Sequence, residues 1–127
     1  MPPRSKSFPR LADPSSLVAI YKCLCDLNRL RILHLLREGP LCVCHLQETL
    51  GIGPTRTSQQ LAFLRKHGMV EVRVCGQWRV YALPEKPGAA LSANLACLQD
   101  CVTSYPQFAA DRAKLAKVRK SICGPEL

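Results

Sequence analysis

Residues 51–83 read GIGPTRTSQQLAFLRKHGMVEVRVCGQWRVYAL. This stretch contains two different periods, and the change between them decides the fold. The GIGP opening, with two glycines and a proline, is a tight turn. From Thr55 to His67, Leu61 and Leu64 recur at helical spacing among polar side chains, which predicts a helix over about 55–67. Thr55 or Thr57 is its expected N-cap, and Gly68 its stop. Beyond Gly68 the period falls to two. Val70, Val72 and Val74 alternate with Glu71 and Arg73; after Cys75-Gly76-Gln77, Trp78, Val80 and Ala82 alternate with Arg79, Tyr81 and Leu83. Two alternating runs about a glycine turn predict a β-hairpin over 70–83.

Upstream, Asp13-Pro14 is an expected helix start, with Asp as N-cap and Pro at the first helical position. The helix that follows carries Leu17, Ile20, Tyr21 and Leu24 on one face. Asp26 is the expected cap of a second helix, striped by Leu30, Ile32, Leu33 and Leu36 and closed by Gly39-Pro40. A third short helix is expected from about Leu41 to Leu50. Downstream, Pro84, Pro87 and Gly88 break the chain, and the remainder reads as helix restarted at Pro106. The expected organisation is a basic arm over 1–13, one domain over 14–120 and a tail over 121–127. The expected fold is mainly α with a β-hairpin wing.

Helix, glycine turn, helix and hairpin is the order of a winged helix-turn-helix, whose second helix enters the major groove of DNA. The charge agrees. Eighteen Lys and Arg against nine Asp and Glu give a formal net charge of +9, which suits a polyanion. Gln59 and Gln60 can pair bidentately with adenine, and Arg56 with guanine or a phosphate. Thr55, Thr57 and Ser58 are short donors near a helix start, placed for phosphate. Arg65 adds a cation to the same helix, and Arg73, Gln77 and Arg79 lie on the wing. No apolar run approaches the length of a membrane span, so a soluble, cytoplasmic protein with no membrane partner is expected.

Eight cysteines are many for 127 residues. Without a secretory signal they read as free thiols: small core residues, metal ligands or redox sensors. Cys42, Cys44 and His45 lie together in LCVCHL. If Cys42 and Cys44 share a helix, about 200° of rotation separates them, so both can close on one ion only if the first turn deforms. A helix start also favours thiolate, most of all at Cys42. Cys97 and Cys101, four apart, share a helical face and form a second candidate pair or contribute to the first. Cys23 and Cys25 read as packing, Cys75 as a hairpin-turn thiol, Cys123 as a tail thiol able to reach a metal, and His45 as a surface or helix-start residue. A thiol enzyme would want a Cys-x-x-Cys pair or an anion loop beside a strand. The chain has neither, and no enzyme is expected.

The segments CLCDLNRLRILHLLREGPLCVCHL and TSQQLAFLRKHGMVEVRVCGQWRVYAL resemble the ArsR/SmtB family of metalloid- and metal-responsive repressors over about residues 15–83. LCVCHL is similar to the arsenic-site motif of its arsenical repressors. The resemblance implies a homodimer built from the helices at 14–25 and 89–119, with Leu91, Leu95, Leu98, Val102, Phe108 and Leu115 able to make the contact or to serve as core. It implies double-stranded operator DNA with an inverted repeat, read in successive major grooves about 34 Å apart. It further implies As(III) or Sb(III) as inducer at Cys42 and Cys44, with Cys97 and Cys101 as further candidate ligands and no cofactor needed for DNA binding. Soft trivalent metalloids favour three thiolates. The alternative signals are cadmium, zinc or thiol oxidation. Two departures stand out. Gln59-Gln60 occupies the place where the family often has Arg-His, and Gln47 stands where a third motif cysteine often falls.

Overall fold

The computed structural model describes residues 14–121 and Gly124. Its elements are α1 (Ser15–Leu24), α2 (Leu27–Leu36), β1 (Leu41–Cys42), α3 (Val43–Leu50), α4 (Pro54–Lys66), β2 (Glu71–Cys75), β3 (Trp78–Ala82), α5 (Ala89–Cys101), a 3-10 turn (Val102–Ser104) and α6 (Pro106–Ser121). The fold is mainly helical with a small antiparallel sheet, as the sequence predicts. The expected cap at Asp13 lies outside the described residues, as do the basic arm and Cys123.

Asp26 caps α2 as expected, accepting a hydrogen bond from the Arg29 N–H at 3.0 Å. The second expected cap is different. Gly53 occupies the N-cap of α4 with Pro54 at the first helical position, so neither Thr55 nor Thr57 caps it. Gly51 ends α3 in the left-handed conformation, at φ 66°, which a side chain would strain. Gly76 does the same at the wing tip, at φ 61°, between the paired residues Cys75 and Trp78.

The sheet has three strands in the order β1-β3-β2, one more than the expected hairpin. Leu41 pairs with Tyr81 and Cys42 with Val80. The third helix therefore starts at Val43 rather than Leu41, and Cys42 is its N-cap in extended conformation, with φ −74° and ψ 153°. The reason is long-range. β3 offers a free edge that Leu41 and Cys42 fill, with backbone hydrogen bonds that a helical first turn would forgo.

The core gathers Ile32, Leu33 and Leu35 of α2, Leu46 of α3, and Leu61 and Leu64 of α4, all fully buried. Leu91 and Leu95 of α5 and Leu115 of α6 join the same cluster, Leu98 packs against it half-buried, and Val102 and Phe108 are buried. Leu91, Leu95 and Leu115 are thus intramolecular core, whereas Leu98, Val102 and Phe108 also line an open apolar groove with Leu27 and Tyr105. Among the described residues the exposed large apolar side chains are Leu17, Val18 and Tyr21 on α1, Leu27, Val74 and Tyr105. Among the described residues no helix is long and apolar enough to cross a membrane.

α6 runs antiparallel to α3. Arg31 joins Asp111, early in α6, to the Leu50 carbonyl at the end of α3. A methyl group placed on Gly51 would lie 3.6 Å from Lys114 Nζ, while one on Gly124 would meet Cys42 and His45 at the start of α3.

Candidate functional site

Extended backbone at Cys42 changes the geometry of the thiol pair. Its sulfur is not on the helix that carries Cys44, so the 200° separation does not apply. The ligand atoms of Cys42, Cys44 and His45 all lie within 4.8 Å of one another with α3 intact. Unwinding of the first turn is therefore not required to bring the sulfurs together. Cys42 is fully buried and Cys44 half-buried. His45 is buried too, 7% exposed, rather than a surface residue.

Burial and a hydrogen bond with Cys42 push the Cys44 thiol up to about 11. Desolvation outweighs the helix start, so Cys44 rests as a neutral thiol and binding a soft centre must displace its proton. A closely spaced pair of thiols, one buried and one half-buried, fits a thiophilic ion. Two sulfurs and one imidazole nitrogen are the donors that the described residues provide.

Cys97 and Cys101 do form a pair, with sulfurs 3.9 Å apart on the exposed side of α5. The hydrogen bond with Cys97 raises the Cys101 thiol. Within one subunit this pair is not part of the Cys42 cluster. Cys23 is buried packing, its thiol raised by burial, and Cys25 donates to the Lys22 carbonyl.

The expected DNA-reading residues divide. Thr55, Arg56, Ser58, Gln59 and Arg65 are exposed on α4, and Arg73, Gln77 and Arg79 on the wing. Thr57 is fully buried, and its hydroxyl donates to the Gly53 carbonyl at 2.8 Å, which removes it from any phosphate. Gln60 is also occupied. Its amide donates to Asp26 Oδ2 at 3.2 Å and accepts from Arg29 Nη1 at 2.9 Å. Arg29 in turn donates to the Cys23 and Lys22 carbonyls at the end of α1 and lies over the Phe63 ring. Gln60 therefore locks α4 to the α1–α2 junction, a structural role hidden by its reader-like chemistry.

Strand register separates the wing arginines. Arg73 pairs with Val80 and shares a face with Pro40, Glu71 and Cys75. Arg79, one residue along β3, lies on the opposite face. There it lines an open groove with Val43, Gln47, Ser58, Arg65 and Lys66. Gln47 thus faces this groove. Lys66 and Gln47 are additions to the expected interface. Lys66 is readable from its helix position beside Arg65, whereas Gln47 depends on how α3 packs beside α4.

Comparison with known proteins points the same way. The family model described as bacterial regulatory protein, arsR family, matches residues 26–72. Over 70 residues the chain is 44% identical to the arsenic resistance transcriptional regulator ArsR1 of Pseudomonas putida, covering 54% of this chain and 55% of that relative. The chain thus spans about half the length of that relative. The arsenic resistance transcriptional regulator ArsR2 of the same organism is 36% identical over 112 residues, covering 82% of this chain and 94% of the relative. The cadmium resistance transcriptional regulatory protein CadC of Listeria innocua is 35% identical over 79 residues, or 61% of this chain and 66% of CadC. Among solved structures, HlyU from Vibrio cholerae superposes with a TM-score of 0.62 at 29% identity, covering 68% of this chain and 91% of that one.

Proposed function

Because the chain belongs to the arsR family of bacterial regulatory proteins, we propose that it is a repressor which binds operator DNA and is released when As(III) or Sb(III) is captured by Cys42 and Cys44. The observation that carries this reading is the buried cluster in which both sulfurs and the His45 ring nitrogen lie within 4.8 Å. Soft thiolate donors select soft centres. The chain is a DNA-binding regulator by family and fold, not an enzyme.

The site's attachment to the DNA-reading face supplies a mechanism. Cys42 pairs with Val80, next to Arg79 of the wing. Val43 and Gln47 of α3 line the groove that holds Ser58, Arg65 and Arg79. Capture of a metalloid draws β1 and the start of α3 together and shifts the wing relative to α4. That lowers operator affinity, and by reciprocity operator DNA weakens metalloid binding by the same factor. No cofactor is needed for DNA binding itself. The active form is a homodimer on an inverted repeat in the cytoplasm, with Leu17, Val18 and Tyr21 of α1 as its apolar contact. Cys97 and Cys101 serve as a separate, exposed second thiol pair.

His45 supports a second reading. Two thiolates and an imidazole also suit zinc or cadmium, which accept mixed sulfur and nitrogen donors. A gel-shift titration on an inverted-repeat fragment separates the two, with arsenite, antimonite, cadmium, zinc and peroxide added in turn. Arsenite is expected to release wild-type protein and to leave Cys42→Ser and Cys44→Ser bound. Release of both variants at wild-type arsenite concentrations would refute the site. Loss of cadmium or zinc response in His45→Gln, with arsenite response unchanged, would favour the second reading.

A further inference from the structure

An open cavity of about 270 Å³ lies where α2 meets the C-terminal helices. It shares no residue with the thiol cluster or with the groove beside the wing. His34 lines it from α2, Arg37 and Glu38 from the end of that helix, Gln99 from α5, Thr103 from the 3-10 turn and Arg112 from α6. We propose that this cavity binds a small tetrahedral oxyanion of the phosphate, arsenate or sulfate kind, held by Arg37 and Arg112 with His34 as a buried donor.

The two guanidiniums are available for such an ion. Both side chains are exposed, so an ion can reach them. Arg112 makes no hydrogen bond or ion pair among the described residues, and the Arg37 side chain donates to Gln99 Oε1 alone. A guanidinium offers a planar fork of N–H donors that matches two oxygens of an oxyanion. Gln99 accepts from Arg37 through its oxygen and keeps its amide N–H groups to donate.

His34 is the buried member. It is 6% exposed, its ring stands edge-on to Phe108 with centroids 5.3 Å apart, and neither ring nitrogen has a partner among the described residues. An imidazole carries at least one N–H, and burying such a donor without an acceptor is unfavourable. An oxyanion in the cavity supplies that acceptor. Two groups work against or outside the site. Glu38 is a carboxylate in the lining, outnumbered by the two arginines, and the Thr103 hydroxyl donates to the Asp100 carbonyl at 3.0 Å. The cavity also has room for waters beside the ion, at about 30 Å³ each.

The ion and the ring are coupled. Besides burial, Arg112 and Arg37 disfavour the charged imidazole, while Glu38 and Asp111 favour it. A bound anion joins the second group, so binding draws a proton onto His34 and affinity rises as pH falls. One ion would thereby tie α2 to α5 and α6.

The test is calorimetric titration of the full-length protein with sodium phosphate, arsenate and sulfate in turn, without DNA, at fixed ionic strength. Each should bind saturably, one ion per chain, and the tightest of the three identifies the preferred ion. Arg37→Gln and Arg112→Gln should each weaken binding at least about tenfold, the fold-change of one lost favourable contact. Sulfate keeps its charge between about pH 7.5 and 5.5, so its tighter binding at the lower pH reports the ring, and His34→Gln should flatten that dependence. The melting temperature of wild type should rise with ion concentration, and that of folded Arg112→Gln should rise less. Arg65→Gln and Arg79→Gln, on the face proposed to read DNA, should bind the ions as wild type does. Absence of saturable binding up to about 10 mM in wild type would overturn the proposal. So would binding that survives in Arg37→Gln and Arg112→Gln but is lost in Arg65→Gln or Arg79→Gln, which would place the ion on the reading face.

Discussion

Arg31 and Asp111, eighty residues apart, form a buried two-point ion pair, with Nε–Oδ2 at 2.8 Å and Nη2–Oδ1 at 3.0 Å. The same guanidinium donates to the Leu50 carbonyl at 3.1 Å, the last residue before the Gly51 turn that aims α4. Gln107 adds a further hydrogen bond to Asp111 at 2.8 Å. One pair thus fastens α2, the end of α3 and α6 together.

Removing one partner leaves the other charge buried and alone. Asp111→Ala should lower the free energy of unfolding by about 3–5 kcal/mol in a urea titration. Replacing both, as Arg31→Met with Asp111→Leu, should recover most of that loss. A single-variant cost below about 1 kcal/mol would show that water reaches the pair.

Neighbouring glutamines on α4 should fail in different assays. Gln59 is exposed, so Gln59→Ala should weaken operator binding by about 1–3 kcal/mol and relax base preference at one position. Gln60 is held by Asp26 and Arg29, so Gln60→Ala should cost stability, about 1–3 kcal/mol, seen in the melt. Gel shifts and urea melts on both variants check the division; a Gln60→Ala protein of wild-type stability contradicts it.

The two wing arginines should also separate. Arg79 lines the groove beside α4, whereas Arg73 lies on the opposite face of the sheet. Arg79→Ala should reduce the slope of log affinity against log salt by about 1, the value for one lost phosphate contact. Arg73→Ala should leave the slope closer to wild type. Equal slopes for the two variants would place both on the DNA.

His34 gives the protein an acid sensitivity. Burial, then the nearby Arg112, hold its imidazole below the usual range, and neither ring nitrogen has a hydrogen-bond partner among the described residues. Above about pH 6.5 the ring is neutral whether folded or unfolded and adds no pH dependence. Below it, the unfolded ring takes a proton that the folded ring resists, so stability falls as pH falls. The His34→Leu variant should lose less stability than wild type between pH 7.5 and 5.5. Parallel declines would assign the acid response to other groups.

What was legible in the sequence was what local pattern dictates. The period change at Gly68, the Asp26 cap and the Gly76 turn are each written within a few residues of where they act. β1 was not legible, because two residues form a strand only if an edge roughly forty residues away accepts them, and no period exists in two residues. That one omission misplaced Cys42 on a helix and suggested a deformation that the fold does not need. Thr57 and Gln60 were misread for a related reason. Polar residues carry no hydrophobic signal to tell which side of α4 they occupy, and their true partners, Gly53, Asp26 and Arg29, include two that are distant in sequence. Packing against Gly124 leaves no pattern at all, since a glycine in a tail is ordinary until a buried histidine is found against it.

The path of α6 along α3 also sets an order of assembly during synthesis. The residues proposed to read DNA are all made by position 79, but Arg31 has no counter-charge until Asp111 emerges. At roughly 5–20 residues per second, those eighty residues take about 4–16 s of translation. For that interval the nascent chain carries an unpaired cation where its interior will be. Gly124, made later still, lies against Cys42 and His45. A chain cut short after the wing would retain every residue proposed to read DNA and yet lack Leu91, Leu95 and Leu115 of the core and the counter-charge of Arg31, so its helices could not close around one interior.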